Sequence, residues 1–262
     1  MKAHFGNVAK YYAKYRNDLP VQLFETLIKR EIDFKGKKVV DLGSGTGVLS
    51  RALQDRGAFV VGVEPSAELI KEAKRIDECE KREVEYVNAF SEMTTLKEKS
   101  FDFVTVLRAW HWFDREQALY EIRRILKDKG ILIVMDSGFT SKKELVSKTL
   151  KMIKDHLPNG LLPSPGSKAN ATQFINGCPV EWFKEWQDHQ FDMTDTYKFS
   201  YTVPFSIEEW CGRVGTLSWL SNFTDEKRTE ILNEIYSHLK DEWGKAELDI
   251  EHVCSVTILH LL

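Results

Sequence analysis

The run VVDLGSGTG, residues 39–47, constrains this chain more than any other stretch of it. An apolar strand over Lys38–Leu42 runs into three alternate glycines, Gly43, Gly45 and Gly47, and these lead into a helical pattern over 48–56 with apolar positions at 48, 49, 52 and 53. Glycines at such a junction let backbone approach a ligand where a Cβ would collide, so a polar or anionic group is expected there. A second strand, Phe59–Val63, leads to Glu64, 21 residues after Gly43, where an open α/β sheet places the acid that takes ribose hydroxyls. Together the loop and the acid specify a nucleoside-bearing cofactor. A dinucleotide fingerprint wants G-x-G-x-x-G, whereas position 48 is Val and the glycines form G-x-G-x-G. Asp41 at the mouth of the loop would repel a pyrophosphate but suits the ammonium of a methionine-like group, which favours S-adenosylmethionine over NAD.

The rest of the first half alternates in the same way. Periodicity predicts a helix over 20–31, a helix from a Ser66 cap to about 76, a weak strand over 84–87 and a strong one over Phe101–Leu107. A basic amphipathic helix follows over 115–127, with Gly130 as its stop signal, and then a strand over 131–136. Five such alternations imply a parallel, doubly wound α/β sheet. Residues 141–156 read as helix and 157–180 as loop, within which 157–167 (LPNGLLPSPGS) is a segment able to move. The stretches 188–203 and 253–261 are β-rich; if both join, the sheet has seven strands, mostly parallel, and residues 204–248 are left as a helical insertion suited to cap a substrate. Residues 1–140 would then hold the cofactor core and 141–262 would complete the sheet and cap within one domain, since no linker or repeat marks a hinge.

Composition excludes several classes. With 42% hydrophobic and 29% charged residues a folded core is expected, and 37 Lys plus Arg against 40 Asp plus Glu gives no global field for a polyanion, so nucleic acid is disfavoured. The opening MKAHFGNVAKYYAKYR lacks the apolar core of a signal peptide, and no run reaches the roughly 18 apolar residues of a membrane span, so a cytoplasmic location away from membrane is expected. Cysteines at 79, 178, 211 and 254 form no C-x-x-C pair, and neither HExxH nor a Cys/His grouping offers a metal a home.

Through VVDLGSGTG (39–47), VGVEPS (61–66), NAFSEM (88–93) and FDFVTVLRAWHWF (101–113), residues 1 to about 136 resemble the class I S-adenosylmethionine-dependent methyltransferases, with their Rossmann-like fold. The likeness is greatest to the small-molecule branch that includes trans-aconitate methyltransferase-like enzymes, on YAKYRNDLP (12–20) and the HWF after the fourth strand. The resemblance implies that Asp41, Gly43, Ser44, Gly45 and Gly47 hold the methionine part, that Glu64, followed by Pro65, takes the ribose, and that Ala89 and Phe90 flank the adenine. It also implies that Tyr12 and Arg16 fold over the methionine end. By spacing, Tyr15 shares a helical face with Tyr11 or Tyr12 and is read as a substrate contact.

Since a sulfonium is an activated donor, the protein's task is to align a small-molecule acceptor and exclude water. A carboxylate acceptor needs no base, while a hydroxyl would benefit from one such as His111. Arg108 at the end of the fourth strand reads either as a forked carboxylate clamp or as the partner of a structural acid; Trp110 reads either as an acceptor contact or as packing; His111 reads either as a base or as a histidine bonded to backbone. In the insertion, Arg213, Ser218 and Trp219 are expected to face the acceptor opposite Arg108 and Trp110, matching an anionic end and an apolar body. No D/N-P-P-Y/F follows the fourth strand, which disfavours base methylation. An NAD(P)-dependent oxidoreductase and a non-catalytic S-adenosylmethionine binder are the rival readings, and either a monomer or a homodimer is compatible with the sequence.

Overall fold

Alternation along each strand sends neighbouring side chains into two different cores, and this builds the whole molecule. The computed structural model describes residues 9–16, 18–221, 223–244 and 247–262; the opening residues 1–8, read above for a leader, lie outside it. Helices α1 (Ala9–Tyr15) and α2 (Val21–Ile28) precede β1 (Lys38–Leu42), α3 (Val48–Gln54), β2 (Phe59–Val63), α4 (Ala67–Glu80), β3 (Glu85–Val87) and β4 (Phe101–Leu107). Then come α5 (Arg115–Ile125), β5 (Leu126–Phe139), α6 (Glu144–His156), a small hairpin of β6 (Phe174–Ile175) and β7 (Cys178–Pro179), α7 (Val180–Asp188), β8 (Phe191–Phe205), α8 (Ile207–Gly215), α9 (Asp225–Trp243) and β9 (Leu248–Leu261).

Seven strands form one sheet in the order β3-β2-β1-β4-β5-β9-β8. The first five are parallel, while β9 runs antiparallel to β5 and to β8. Val40, Leu132 and Val134 point to one face, where Leu119, Ile122 and Ile125 of α5 and Trp182 and Trp186 of α7 cover them. Val39, Ile133 and Met135 point to the other, under Leu23, Phe24 and Leu27 of α2 and Leu49 and Leu53 of α3. A third core joins α6, α8 and α9 through Val146, Trp210, Val214, Ile231 and Ile235. No helix of the described residues is long and apolar enough to cross a membrane.

The expected sheet is therefore present, and α8 and α9 fill the insertion between β8 and β9. Ser66 caps α4 by accepting from the Leu69 amide, as its position predicts. Several boundaries differ: the strand read over 131–136 runs over Leu126–Phe139, and that read over 253–261 over Leu248–Leu261. Helix α5 ends at Ile125 rather than near 127, because Leu126 already pairs with Phe101 and the register shifts before Phe103 pairs with Ile131; Gly130 lies in that shift and stops no helix. Residues 180–188 are helix α7, whose Trp182 and Trp186, one turn apart, are its buried face.

Candidate functional site

A cleft opens at the carboxyl ends of β1 and β4, lined by Tyr12, Arg16, Asp41, Ser44, Gly45, Thr46 and Arg108 among others. This is where an open α/β sheet binds its ligands. Gly43, Gly45 and Gly47 all have positive φ, at 69°, 56° and 79°. Their reasons for being glycine differ. A Cβ on Gly43 would lie 2.5 Å from the Ala109 Cβ and one on Gly47 2.1 Å from the Tyr86 hydroxyl, so those two make room for protein. A Cβ on Gly45 would meet nothing closer than Tyr12 Cε1 at 3.8 Å, so the space above Gly45 is open to a ligand.

Asp41 is buried at 1% exposure beneath this loop. The Ser50 hydroxyl donates to its Oδ2 at 2.7 Å and the Thr105 hydroxyl to Oδ1 at 3.4 Å. Burial pushes its carboxyl up to about 7, with nearby Glu64 adding to the rise and those two hydroxyls opposing it. Glu64 bridges the two ligand loops, accepting from the Gly45 amide on Oε2 and the Ser66 amide on Oε1, both at 3.0 Å; burial raises it too. The Asn88 amide donates to the carbonyls of Glu64 and Pro65 at 3.0 and 2.9 Å, which brings Ala89 and Phe90 beside the end of β2. Phe90 stands 64% exposed, as a platform for a planar group must. Among the described residues the buried hydroxyls of Ser44 and Thr46 find no partner. A buried carboxylate, orphaned hydroxyls and an open glycine cradle fit the ammonium, carboxylate and ribose groups of S-adenosylmethionine.

Helix α1 spans from this cleft to the insertion. Tyr12 approaches Gly45, and Arg16, whose guanidinium lies over the Tyr12 ring, donates from Nε to the Thr216 hydroxyl at 2.9 Å. Tyr15 packs on α8, where a Cβ on Gly212 would come within 2.3 Å of its ring. The half-buried ring thereby joins α1 to the insertion.

At the end of β4 the structure chooses among the alternatives. Arg108, at φ 59°, donates from Nη1 to Asp18 Oδ1 at 2.8 Å and from Nε to the Ser137 hydroxyl at 2.7 Å. Its fork is filled by an internal acid. Trp110, 1% exposed, lies in the core against Phe113 and Trp186, which corrects its expected role at the acceptor. Trp110→Ala is expected to cost about 3–5 kcal/mol of stability, seen as a lower melting temperature, without a selective loss of acceptor use. His111 is buried beside Trp112 under the 166–170 turn, which is held down by a Lys168–Asp136 ion pair. Burial pulls its imidazole down to about 4. It is neutral at pH 7 and a weak base, which weakens the general-base reading of it.

The insertion contributes Arg213, 1% exposed, whose Nη2 lies 3.7 Å from Asp18 Oδ2. Arg213 and Arg108 thus meet through one carboxylate. Trp219 instead donates its indole N–H to the Pro163 carbonyl at 2.7 Å, and the Ser218 carbonyl accepts from Ser221; both tie loops together, and neither residue bonds to Arg108 or Trp110 among the described residues. Asp18, Thr216, Asp136 and Lys168 join the site without a sequence pattern that singles them out. Asp18 lies inside the 12–20 motif, and an acid two residues from Arg16 is the available signal, but its partner Arg108 is 90 residues away.

Residues 40–134 match a family described as Methyltransferase domain. An uncharacterised protein of Methanocaldococcus jannaschii is 31% identical over 196 residues, 72% of this chain and 73% of that one. Malonyl-[acyl-carrier protein] O-methyltransferase of Enterobacter lignolyticus is 31% identical over 144 residues, 55% of each chain. The chain spans about half the length of the first curated relatives it matches. Among solved structures, a candidate type II methyltransferase from Anaeromyxobacter dehalogenans superposes with TM-score 0.60 at 23% identity, covering 92% of this chain and 95% of that one, which shows a common fold.

Proposed function

Since the chain belongs to the class I S-adenosylmethionine-dependent methyltransferases, we propose that it transfers the methyl group of that cofactor directly to an oxygen of a small-molecule acceptor, a carboxylate before a hydroxyl. The observation that carries the cofactor half is the pairing of buried Asp41 with the open space above Gly45. When bound, the cofactor supplies a methyl group on a positive sulfur, already activated for displacement. Asp41 would hold its ammonium, Glu64 its ribose hydroxyls, Ala89 and Phe90 its adenine, and Tyr12 with Arg16 would cover the methionine end. What remains for this chain is to bring the acceptor oxygen into line and keep water out, which is worth up to about 7–11 kcal/mol.

The preference for a carboxylate comes from His111. An imidazole pulled down to about 4 accepts a proton poorly at pH 7, so an acceptor that must be deprotonated gains little here. A carboxylate arrives ionised. The O-methyltransferase name of the Enterobacter relative agrees with oxygen as the target. The finer placement beside the trans-aconitate methyltransferase-like enzymes is part of this proposal and rests on residues 12–20 and 111–113. So are the one-domain organisation, with α8 and α9 as cap, and the choice between monomer and homodimer.

Incubation with methyl-labelled cofactor and a panel of carboxylic acids and phenols tests this. The expected product is a base-labile methyl ester, formed equally well with chelator present because the donor needs no Lewis acid. Activity lost to EDTA and restored by magnesium would overturn metal independence. Binding without turnover across the panel would favour the non-catalytic reading.

A further inference from the structure

Beneath the glycine loop lies an aromatic ring that the proposed cofactor contacts do not use. Tyr86 belongs to β3, an edge strand of the sheet, and stands in register with Gly62 of β2. A Cβ on Gly62 would fall 2.7 and 2.9 Å from Tyr86 Cδ1 and Cε1 and 2.9 Å from the Ser44 hydroxyl. The missing side chain is therefore the passage by which the ring crosses β2 to reach the loop that follows β1. Gly62 lacks the positive φ of the loop glycines, so this close approach alone requires glycine there. At the far end of the ring, the buried hydroxyl is what a Cβ on Gly47 would strike at 2.1 Å. Arg51 of α3 stands beside it, with Nη1 2.9 Å from the same point, and donates to Asp77 Oδ1 of α4 at 3.0 Å. Burial, with the Asp77 charge adding to it, holds the Tyr86 phenol above its usual range, so it stays protonated.

We infer that Tyr86 is a positioning residue for the cofactor: its ring, carried over Gly62 from the edge strand, holds the glycine loop in the shape that leaves the space above Gly45 open to the methionine part. This rests on the reading that the cleft takes S-adenosylmethionine. The first half of the loop is pinned to β2, since the Gly43 and Ser44 amides donate to the Val63 carbonyl at 2.8 and 3.1 Å and the Gly45 amide to Glu64 at 3.0 Å. The second half, at Gly47, has the Tyr86 hydroxyl against it. Shortening that side chain leaves a void under Gly47 into which the loop settles, because atoms lining a gap too small for water lose their contacts. Ser44 and Gly45 then move with it. Ala89 and Phe90, read as the adenine contacts, follow Tyr86 in the chain and do not rest on its ring, so the effect falls on the amino-acid end of the ligand.

Calorimetric titration with S-adenosylhomocysteine and with methylthioadenosine, which lacks the amino-acid part, separates positioning from packing. Tyr86→Leu should weaken S-adenosylhomocysteine by about tenfold or more with methylthioadenosine within about threefold of the parent, and Tyr86→Phe, which keeps the ring, should stay within about threefold for both. Gly62→Ala reaches the same loop without shortening the ring, since its methyl group pushes ring and Ser44 against it; it should also cost S-adenosylhomocysteine about tenfold, but less than about twofold when added to Tyr86→Leu. Parent-like S-adenosylhomocysteine affinity in Tyr86→Leu, equal losses of the two ligands, or costs of Gly62→Ala and Tyr86→Leu that simply add would overturn the inference. Should Tyr86→Leu fail to fold, Gly62→Ala decides: a loss confined to S-adenosylhomocysteine supports the inference, and no loss or an equal loss of both ligands overturns it. Failure of the parent to bind S-adenosylhomocysteine at the outset would overturn the cofactor reading and the inference with it.

Discussion

Replacing Gly45 by valine is expected to abolish binding of S-adenosylmethionine and S-adenosylhomocysteine, a loss of about a hundredfold or more, in a protein that still folds. The residue sits at φ 56°, and a Cβ added there would meet no protein atom closer than 3.8 Å, so the extra bulk goes into the ligand's space rather than into the core. The left-handed backbone adds about 1–2 kcal/mol of strain for a side chain, enough to lower the melting temperature without unfolding the chain. Gly47→Ala should behave in the opposite way, since its Cβ would fall 2.1 Å from the Tyr86 hydroxyl and 2.9 Å from Arg51 Nη1; stability falls first there. Undiminished S-adenosylhomocysteine affinity in folded Gly45→Val would contradict the assignment of the loop.

Asp41 should impose a pH dependence on both stability and binding. Its carboxyl stands at about 7 in the ligand-free fold against 3.8 in the unfolded chain, because burial disfavours the charge. Between those values the folded state holds a proton that the unfolded state has released, so the stability of the ligand-free protein falls as pH rises through this window and levels off above it. The full effect is roughly 4 kcal/mol. Glu64 is raised by burial as well and adds in the same direction. Asp41→Asn removes the Asp41 share, so it should stabilise the ligand-free protein at about pH 8 and leave it nearly unchanged at about pH 4. Binding should follow the reverse order. The ammonium of the cofactor needs the ionised carboxylate, so affinity for S-adenosylhomocysteine should drop by about tenfold per unit below pH 7 in the parent, with proton release measurable by calorimetry in two buffers. Asp41→Asn should bind at least about tenfold more weakly at pH 8 and show a flatter profile. A parent affinity that is flat between about pH 5 and pH 8 would exclude Asp41 as the ammonium partner.

What can be read from sequence is what is local. The strands β1, β2 and β4 have the bounds their periodicity predicts, and the glycine loop with Asp41 and Glu64 is encoded within 24 residues of chain. Helix α7 escapes such a reading because it fills the short unassigned stretch between the loop over 157–180 and the β-rich residues 188–203, although Trp182 and Trp186 are spaced as a helical pair. The consequence reaches the site. A tryptophan just after a central strand faces either the cleft or a covering helix, and Trp186 of α7 is what draws Trp110 into the core. Arg213 is recognisable as a candidate, but its junction with Arg108 through Asp18 joins three distant points of the chain, and no periodicity encodes such a meeting.

The most direct measurement is a calorimetric titration of the full chain at about pH 8 with S-adenosylhomocysteine and, separately, with NAD, above the pH at which Asp41 ionises. Binding of S-adenosylhomocysteine at a single site in the micromolar range, with no heat from NAD, is the predicted result. Saturable binding of NAD with none of S-adenosylhomocysteine would contradict it.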